Sequence, residues 1–195
     1  GLGAKKISEA YERLGYHWWP VDSAIINGQK GKRKSCNNCG PCDLGCPRGA
    51  RASVDLAYWP EAIAAGAKLI TEATVTKIIS DKNEVSGVLY RDADGQQHQL
   101  GARNVVLAGN GIGTARLLLL SANEHYESGL ANNSDQVGRN LMHHPTGLVT
   151  GIFDEYLDGF KGPFAVSIYS QEFYETDTTR GFVRGYQAQT IRSDG

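Results

Sequence analysis

Apolar residues along the chain first follow a helical spacing and then a strand spacing. Ile7 and Leu14 lie on one face of a predicted first helix, and Gly15 is a typical helix end. Ser53 is a good N-cap for a second predicted helix over residues 54–65, which Pro60 interrupts or divides by beginning another helix. Short segments rich in β-branched residues then predict strands over 68–71, 74–79, 84–91, 96–100, 147–153 and 164–169. We expect 74–100 to form an antiparallel β-meander with one buried face.

Residues 104–108, NVVLA, are almost continuously apolar and predict a strand buried on both faces. The predicted strand runs into a glycine-rich turn over 109–113, after which Thr114 can cap a helix over 115–122. Glycines at the end of a strand let the backbone approach a ligand, and the first amides of a helix attract anions. The spacing is G-x-G-x-G, not the full dinucleotide fingerprint, so a structural tight turn remains the alternative.

Composition narrows the class of protein. A chain of 195 residues with 41% hydrophobic and 21% charged residues is typical of a soluble globular protein. Its net charge of −1 gives no electrostatic argument for nucleic acid or an anionic membrane as partner. No apolar run is long enough to span a bilayer, and the first residues lack an export signal, so cytoplasm and periplasm both stay open. We expect a fragment, because the chain opens inside a helix.

All four cysteines lie in one run, CNNCGPCDLGCP, over residues 36–47. The spacing C-x2-C-x2-C-x3-C-P is the one that bacterial-type ferredoxins use for iron–sulfur clusters. A zinc site and locally paired or free cysteines are the alternatives. The candidate ligands are Cys36, Cys39, Cys42 and Cys46.

Two further groups of residues have an open interpretation. The basic cluster Lys30, Lys32, Arg33 and Lys34 predicts a solvated loop or, alternatively, charges that offset an anionic cofactor or thiolates. The adjacent residues His143 and His144 point to opposite sides of an extended segment and so form no metal site by themselves. A histidine near a cofactor serves as an acid or base at neutral pH, whereas a structural histidine is the commoner case.

The order of the motifs resembles a known family. VVLAGNGIGTARLLLLSA, followed by GLANNSDQVGRNLMHHP, is similar to the flavin domain of the glucose–methanol–choline (GMC) oxidoreductases, as is the upstream GCPRGARASVDLAYWPEAIAAGAKLITEATVTKI. The likeness is closest to the branch that oxidises sugars and long-chain alcohols. Asn110 stands where the family signature usually has glycine, Ala115 replaces the usual proline, and Ala122 replaces the final glycine. We interpret Asn110 as a character of the sugar-oxidising branch.

The resemblance implies FAD as cofactor and oxidation of a CH–OH group by hydride transfer to the flavin. It also implies an α/β fold: a partial Rossmann-like FAD-binding domain over 1–146, with the small antiparallel meander and the cysteine-rich loop 36–47. Residues 147–195 would begin an antiparallel substrate-domain sheet. The cofactor-binding residues that it implies are Val75, Ala108, Gly109, Asn110, Asn140 and His144.

Two family features are absent from these 195 residues: the N-terminal G-x-G-x-x-G and the C-terminal catalytic histidine with its partner. The catalytic residues are therefore unassigned, and we expect the chain alone to be inactive. Some relatives hold an iron–sulfur cluster beside the flavin, which would pass electrons to an acceptor protein or subunit. The substrate would be a small alcohol or sugar. The alternatives are an iron–sulfur electron-transfer module and a non-catalytic binding domain that keeps the fold.

Overall fold

In a computed structural model, which describes residues 1–42, 44–162 and 166–191, the chain forms two compact units. One unit contains residues 1–67 and 149–195, and the other contains residues 68–148. Helices and antiparallel sheets are mixed in the chain. This division into compact units does not test the predicted boundary between the FAD-binding and substrate domains at residues 146/147, which stays a prediction.

The first unit begins with helix α1, Leu2–Leu14, as its apolar spacing predicts. Gly15 ends the helix in the left-handed conformation (φ 70°), and its amide bonds Glu12 O and Tyr11 O. After α1 come strand β1, Trp19–Pro20, and the short helices α2, Val54–Ala57, and α3, Trp59–Ala64. The predicted helix 54–65 is thus two helices, because Pro60 lies in the first turn of the second, where its missing amide costs least.

A three-stranded antiparallel sheet in the same unit has the order β1-β5-β6, with β5 at Val166–Ser170 and β6 at Ala188–Ile191. A 3-10 turn, Thr178–Arg180, lies between the last two strands. Ile168 of β5 is buried, and the ring of Phe173 contacts Tyr16 edge to face and stacks on Tyr186. The predicted strand 164–169 is therefore confirmed from residue 166 onward, and Phe164 lies outside the described residues.

The second unit contains the predicted meander. Strands β2, Thr74–Asp81, β3, Glu84–Arg91, and β4, Gln97–Gly101, pair antiparallel in the order β2-β3-β4. Helix α4, Asn110–Leu120, packs on β2. The core here is small and contains Ile78 and Leu130 together with the buried polar side chains of Ser121 and Asn132.

Three strand predictions are wrong within the described residues: 68–71, 104–108 and 147–153 form no strand. An apolar segment becomes a sheet strand only when another strand satisfies its backbone groups, and no described strand pairs with these. Val106, Val149 and Ile152 are consequently exposed, at 89%, 100% and 95%. The predicted cap at Thr114 is also wrong, because α4 begins four residues earlier, at Asn110.

None of the helices in the described part of the chain is long and apolar enough to cross a membrane.

Candidate functional site

The glycine-rich segment 109–113 is the first of two candidate sites; it was predicted as a turn before the helix, but residues 110–113 form the first turn of α4 itself. Asn110 has φ 57°, in the left-handed region that glycine favours and that asparagine tolerates better than most other residues. Its Oδ1 accepts hydrogen bonds from the amides of Ile112 (3.1 Å) and Gly113 (3.2 Å). Asn110 thereby replaces the glycine of the family signature in backbone conformation and also caps the helix.

The turn is open to a ligand. Residues 108–111 are exposed, and a Cβ atom added at Gly111 would meet nothing within 4 Å. At Gly109 the nearest atom to such a Cβ would be Thr114 N, at an ordinary 3.5 Å. A ligand can therefore reach the backbone here without displacing described protein atoms, which is compatible with the FAD site that the family resemblance implies.

The helix that carries this turn is fixed to the meander at its other end. Ser121, fully buried after the last residue of α4, accepts the Ile78 amide of β2 at 2.9 Å and donates to Leu117 O at 2.7 Å. Val75 lies three residues before Ile78 on the same strand and is 37% exposed. Val75 and the turn at Ala108, Gly109 and Asn110 therefore belong to two packed elements of one unit.

The motif segment 129–138 folds back on α4. The Leu130 amide donates to Leu118 O at 3.0 Å, and Gly129 has φ 103°. A Cβ added at Gly129 would lie 2.9 Å from Leu119 Cα, so only glycine fits. Asn132, 5% exposed, accepts the Val137 amide at 3.0 Å and donates to Ser128 O at 2.8 Å. Asn132 lies within the motif GLANNSDQVGRNLMHHP, but the motif alone did not predict that its side chain holds the loop together.

The remaining predicted cofactor residues lie after this loop. Asn140 has φ 55°, another left-handed position, and its Nδ2 donates to Gln136 Oε1 at 3.3 Å. His143 and His144 are exposed in a stretch without regular secondary structure. No described contact joins Asn140 or His144 to the α4 turn, so their placement beside the cofactor stays a prediction.

The cysteine loop is the second candidate site. All four cysteines line one cavity of about 10 Å³, together with Arg48 and Arg51. That volume holds about one water molecule, which is less than an iron–sulfur cluster needs. Within residues 1–42, 44–162 and 166–191, no group of three or more His, Cys, Asp or Glu side chains is placed to hold a metal ion. The geometry as it stands therefore does not support the cluster.

Three arginines build the base of this loop by bonding main-chain carbonyls. Arg33 donates from Nε to Gly49 O at 2.8 Å and from Nη2 to Ala50 O at 3.1 Å. Arg48 Nε donates to Ser35 O at 2.7 Å, and Arg51 donates to Cys42 O. Both sequence interpretations of the basic cluster missed this role of Arg33, because a carbonyl partner leaves no trace in the side-chain pattern.

Local hydrogen bonds act on two of the cysteine sulfurs. The Asn38 amide donates to Cys36 Sγ at 3.3 Å. Backbone amides of residues 48–51, that of Arg51 first, lower the pKa of Cys46 from its ordinary value, against the opposing effect of burial. The lowered pKa favours the thiolate form of Cys46 relative to an ordinary cysteine.

The path of the loop also requires glycine at position 40, because a Cβ added there would clash with Phe160 O.

The comparisons with known proteins agree on one family. The family model described as GMC oxidoreductase matches residues 3–146. The chain is 40% identical over 197 residues to 2-methyl-1,2-propanediol dehydrogenase of Mycolicibacterium austroafricanum, covering 100% of this chain and 36% of that protein. It is 39% identical to the fructose dehydrogenase large subunit of Gluconobacter japonicus, covering 74% of this chain and 27% of that protein.

A further relative, the 6'''-hydroxyparomomycin C oxidase of Streptomyces lividus, is 30% identical over 92% of this chain and 35% of that protein. The chain thus spans about a third of the length of the curated relatives it matches. The family match covers most of the chain and includes the turn, the meander and the loop described above. The resemblance read from the motifs is confirmed, and the chain belongs to the GMC oxidoreductase family.

Proposed function

We propose that the protein to which this chain belongs is an FAD-dependent oxidoreductase that oxidises a CH–OH group of a small alcohol or sugar. The observation that carries the proposal is the open turn at Gly109 and Asn110, in a chain whose residues 3–146 match the family. The relatives named above are a propanediol dehydrogenase, a fructose dehydrogenase subunit and a hydroxyparomomycin C oxidase, which supports alcohols or sugars as the substrate class.

FAD, when bound, accepts the hydride from the substrate carbon. Residues of this chain would hold and orient it: the family resemblance assigns the backbone of Ala108, Gly109 and Asn110 to the ADP part and the backbone of Val75 to the adenine. Asn140 and His144 would contribute from the loop after the 129–138 segment. In the intact protein, residues 1–146 would then belong to a Rossmann-like FAD-binding domain, and residues 147–195 would begin the substrate domain.

The test asks whether a large side chain at this turn prevents the full-length protein from binding flavin. Gly111→Leu places a large side chain where FAD would approach but meets no protein atom at its Cβ position, while Gly111→Ala is the matched control. We expect the wild-type protein and the alanine variant to carry flavin and to reduce an acceptor dye with 1,2-diols or sugars. The leucine variant should fold with the same circular dichroism but lack flavin absorption. Full flavin content in the leucine variant would reject this turn as the site.

The spacing of the cysteines favours a second, accessory function. Cys36, Cys39, Cys42 and Cys46 follow the C-x2-C-x2-C-x3-C-P pattern of iron–sulfur proteins, but the loop would have to rearrange before these residues could hold a cluster that supplies electron transfer. Anaerobic purification with iron and acid-labile sulfide analysis tests this, with the four-fold cysteine-to-serine variant as control. Iron and sulfide in the wild type alone would support the cluster, and their absence from both would reject it.

A further inference from the structure

The basic residues around the cysteine loop divide into two groups with different surroundings. Residues 27–53 contain Lys30, Lys32, Arg33, Lys34, Arg48 and Arg51 but only one acid, Asp43, within a chain whose net charge is −1. The three arginines are half-buried and bond backbone carbonyls, so the fold uses them. The three lysines are exposed and form no ion pair among the described residues. The three lysine side chains are thus the positive charges of this segment that the described fold leaves unpaired.

Two of these lysines lie in a hydrogen-bonded turn, and Lys34 directly follows it. The Lys30 amide donates to Arg33 O at 3.1 Å, and the Arg33 amide donates to Lys30 O at 3.0 Å. Gly31, at φ 58°, takes the left-handed conformation that so short a reversal requires. These backbone bonds hold the main chain that carries the lysines, so less conformational entropy of the loop is lost when a partner binds.

The same turn is joined to the wall of the cysteine cavity. The Lys34 amide donates to Arg48 O at 2.9 Å, and Arg48 lines that cavity. Cys36 follows two residues later, and its own amide donates to Ile26 O at 3.0 Å. A molecule that binds the lysines is consequently held beside the cysteine loop. We name the surface of Lys30, Lys32 and Lys34 the lysine face.

We propose that the lysine face is the docking surface for an acidic surface of an electron-acceptor protein. This inference rests on the proposed oxidoreductase function, which requires electrons to leave the protein. Complementary charge raises the rate of encounter and fixes orientation more than it adds affinity, as a transient electron-transfer contact needs. An acidic protein partner fits better than nucleic acid or a membrane, because the lysine face is only three residues wide and the chain as a whole carries net negative charge.

The test measures binding and turnover separately. The variant is Lys30→Gln/Lys32→Gln/Lys34→Gln in the full-length protein, and the control is Lys68→Gln/Lys82→Gln/Arg103→Gln, which removes the same charge from three exposed residues elsewhere. The binding probe is a fluorescent twelve-residue Glu/Asp peptide at low ionic strength. We expect the lysine-face variant to bind it about tenfold more weakly and the control to change less than twofold, with the difference lost at high salt.

Turnover is measured with an acidic c-type cytochrome and with a small neutral ferrocenium dye as acceptors. The lysine-face variant should lose about tenfold in kcat/KM for the cytochrome and nothing for the dye. Equal peptide binding by the two triple variants would overturn the docking proposal, whatever the turnover. Tighter, lysine-dependent binding of duplex DNA or of anionic vesicles would overturn it in favour of those partners. No dye reduction by the wild type would instead reject the proposed function, while the peptide result would still decide whether the face binds acidic partners.

Discussion

Ser121 and Ile78 form the hydrogen bond that ties helix α4 to the meander, with Ser121 Oγ accepting the Ile78 amide at 2.9 Å inside the core. The hydroxyl also donates to Leu117 O at 2.7 Å, so its donor and acceptor are both used. Since the predicted cofactor turn lies at the opposite end of an 11-residue helix, about 16 Å away, this bond fixes the orientation of the whole element.

Replacement of Ser121 by alanine should lower the stability of the second unit by about 1–3 kcal/mol, because it leaves the buried Ile78 amide without an acceptor. Hydrogen exchange at the Ile78 amide, together with urea unfolding, measures this. Ser86→Ala is the control, since the exposed Ser86 hydroxyl makes only one long bond, of 3.4 Å to Ile79 O. Equal effects of the two substitutions would show that the buried bond adds nothing.

At Asn110 the backbone conformation and the cap are separable. Asn110→Gly keeps the left-handed conformation and loses the cap, at a cost of a few tenths of a kcal/mol. Asn110→Ala loses both and should be destabilised by about 1–2 kcal/mol more. We expect the full-length glycine variant to retain flavin and the alanine variant to lose part of it, as measured by flavin absorbance per protein. Equal flavin content and stability in the two variants would contradict the role of φ at this position.

Gly129 is confined by both conformation and space. Gly129→Ala should destabilise the second unit by about 1–3 kcal/mol from backbone strain, with a further loss from the contact with Leu119 Cα at 2.9 Å. Gly95→Ala is the matched control, because Gly95 also has positive φ (78°) but no atom within 4 Å of an added Cβ. Urea unfolding of both variants should show the larger loss at Gly129. A larger loss at Gly95 would contradict the steric argument.

The turn between β3 and β4 should respond to acid. Asp92 bonds His98 Nε2 at 2.6 Å and accepts the Gln96 and Asp94 amides, and these bonds, that of His98 first, lower the pKa of Asp92 below its ordinary 3.8. A depressed carboxyl pKa stabilises the fold above pH 3.8, and this stabilisation is lost as pH falls through the folded pKa. The protection of the β4 amides, taken as the exchange rate relative to the intrinsic rate at the same pH, should therefore fall below about pH 4. In Asp92→Asn the same segment should exchange faster already at pH 6 and show no further acid step. An unchanged acid step in that variant would assign it to another group.

Most of the local elements were predictable from the sequence, whereas most segments that need distant strands were not; β5, which pairs with β1, is the exception. The apolar spacing that ends at Leu14 and Gly15 predicts α1 correctly, and the alternation over 74–100 predicts the meander correctly. The hydrogen bonds of both elements join residues that are near in the chain. Segment 104–108 is as apolar as a buried strand, but its state depends on distant strands, and composition cannot say whether those are present.

The candidate sites divide in the same way. The glycine-rich segment was recognisable from its glycines, whereas the left-handed conformation of Asn110 (φ 57°) was not predicted, since asparagine there was interpreted only as a family variation. The base of the cysteine loop was not recognisable, since Arg33, Arg48 and Arg51 bond carbonyl groups that every residue carries. A sequence pattern therefore does not indicate which backbone carbonyl an arginine side chain will bond.

That choice of partners has an evolutionary consequence for the loop. The arginine bonds to Ser35, Cys42, Gly49 and Ala50 use main-chain carbonyls, so they would persist when a cysteine is replaced by serine, whose hydroxyl can also accept the amide bonds made to Cys36 and Cys46. The path of the chain can then be kept while its redox chemistry changes. Circular dichroism and proteolysis of the four-fold cysteine-to-serine variant should match those of the parent, whereas Arg33→Ala should expose residues 48–51 to cleavage.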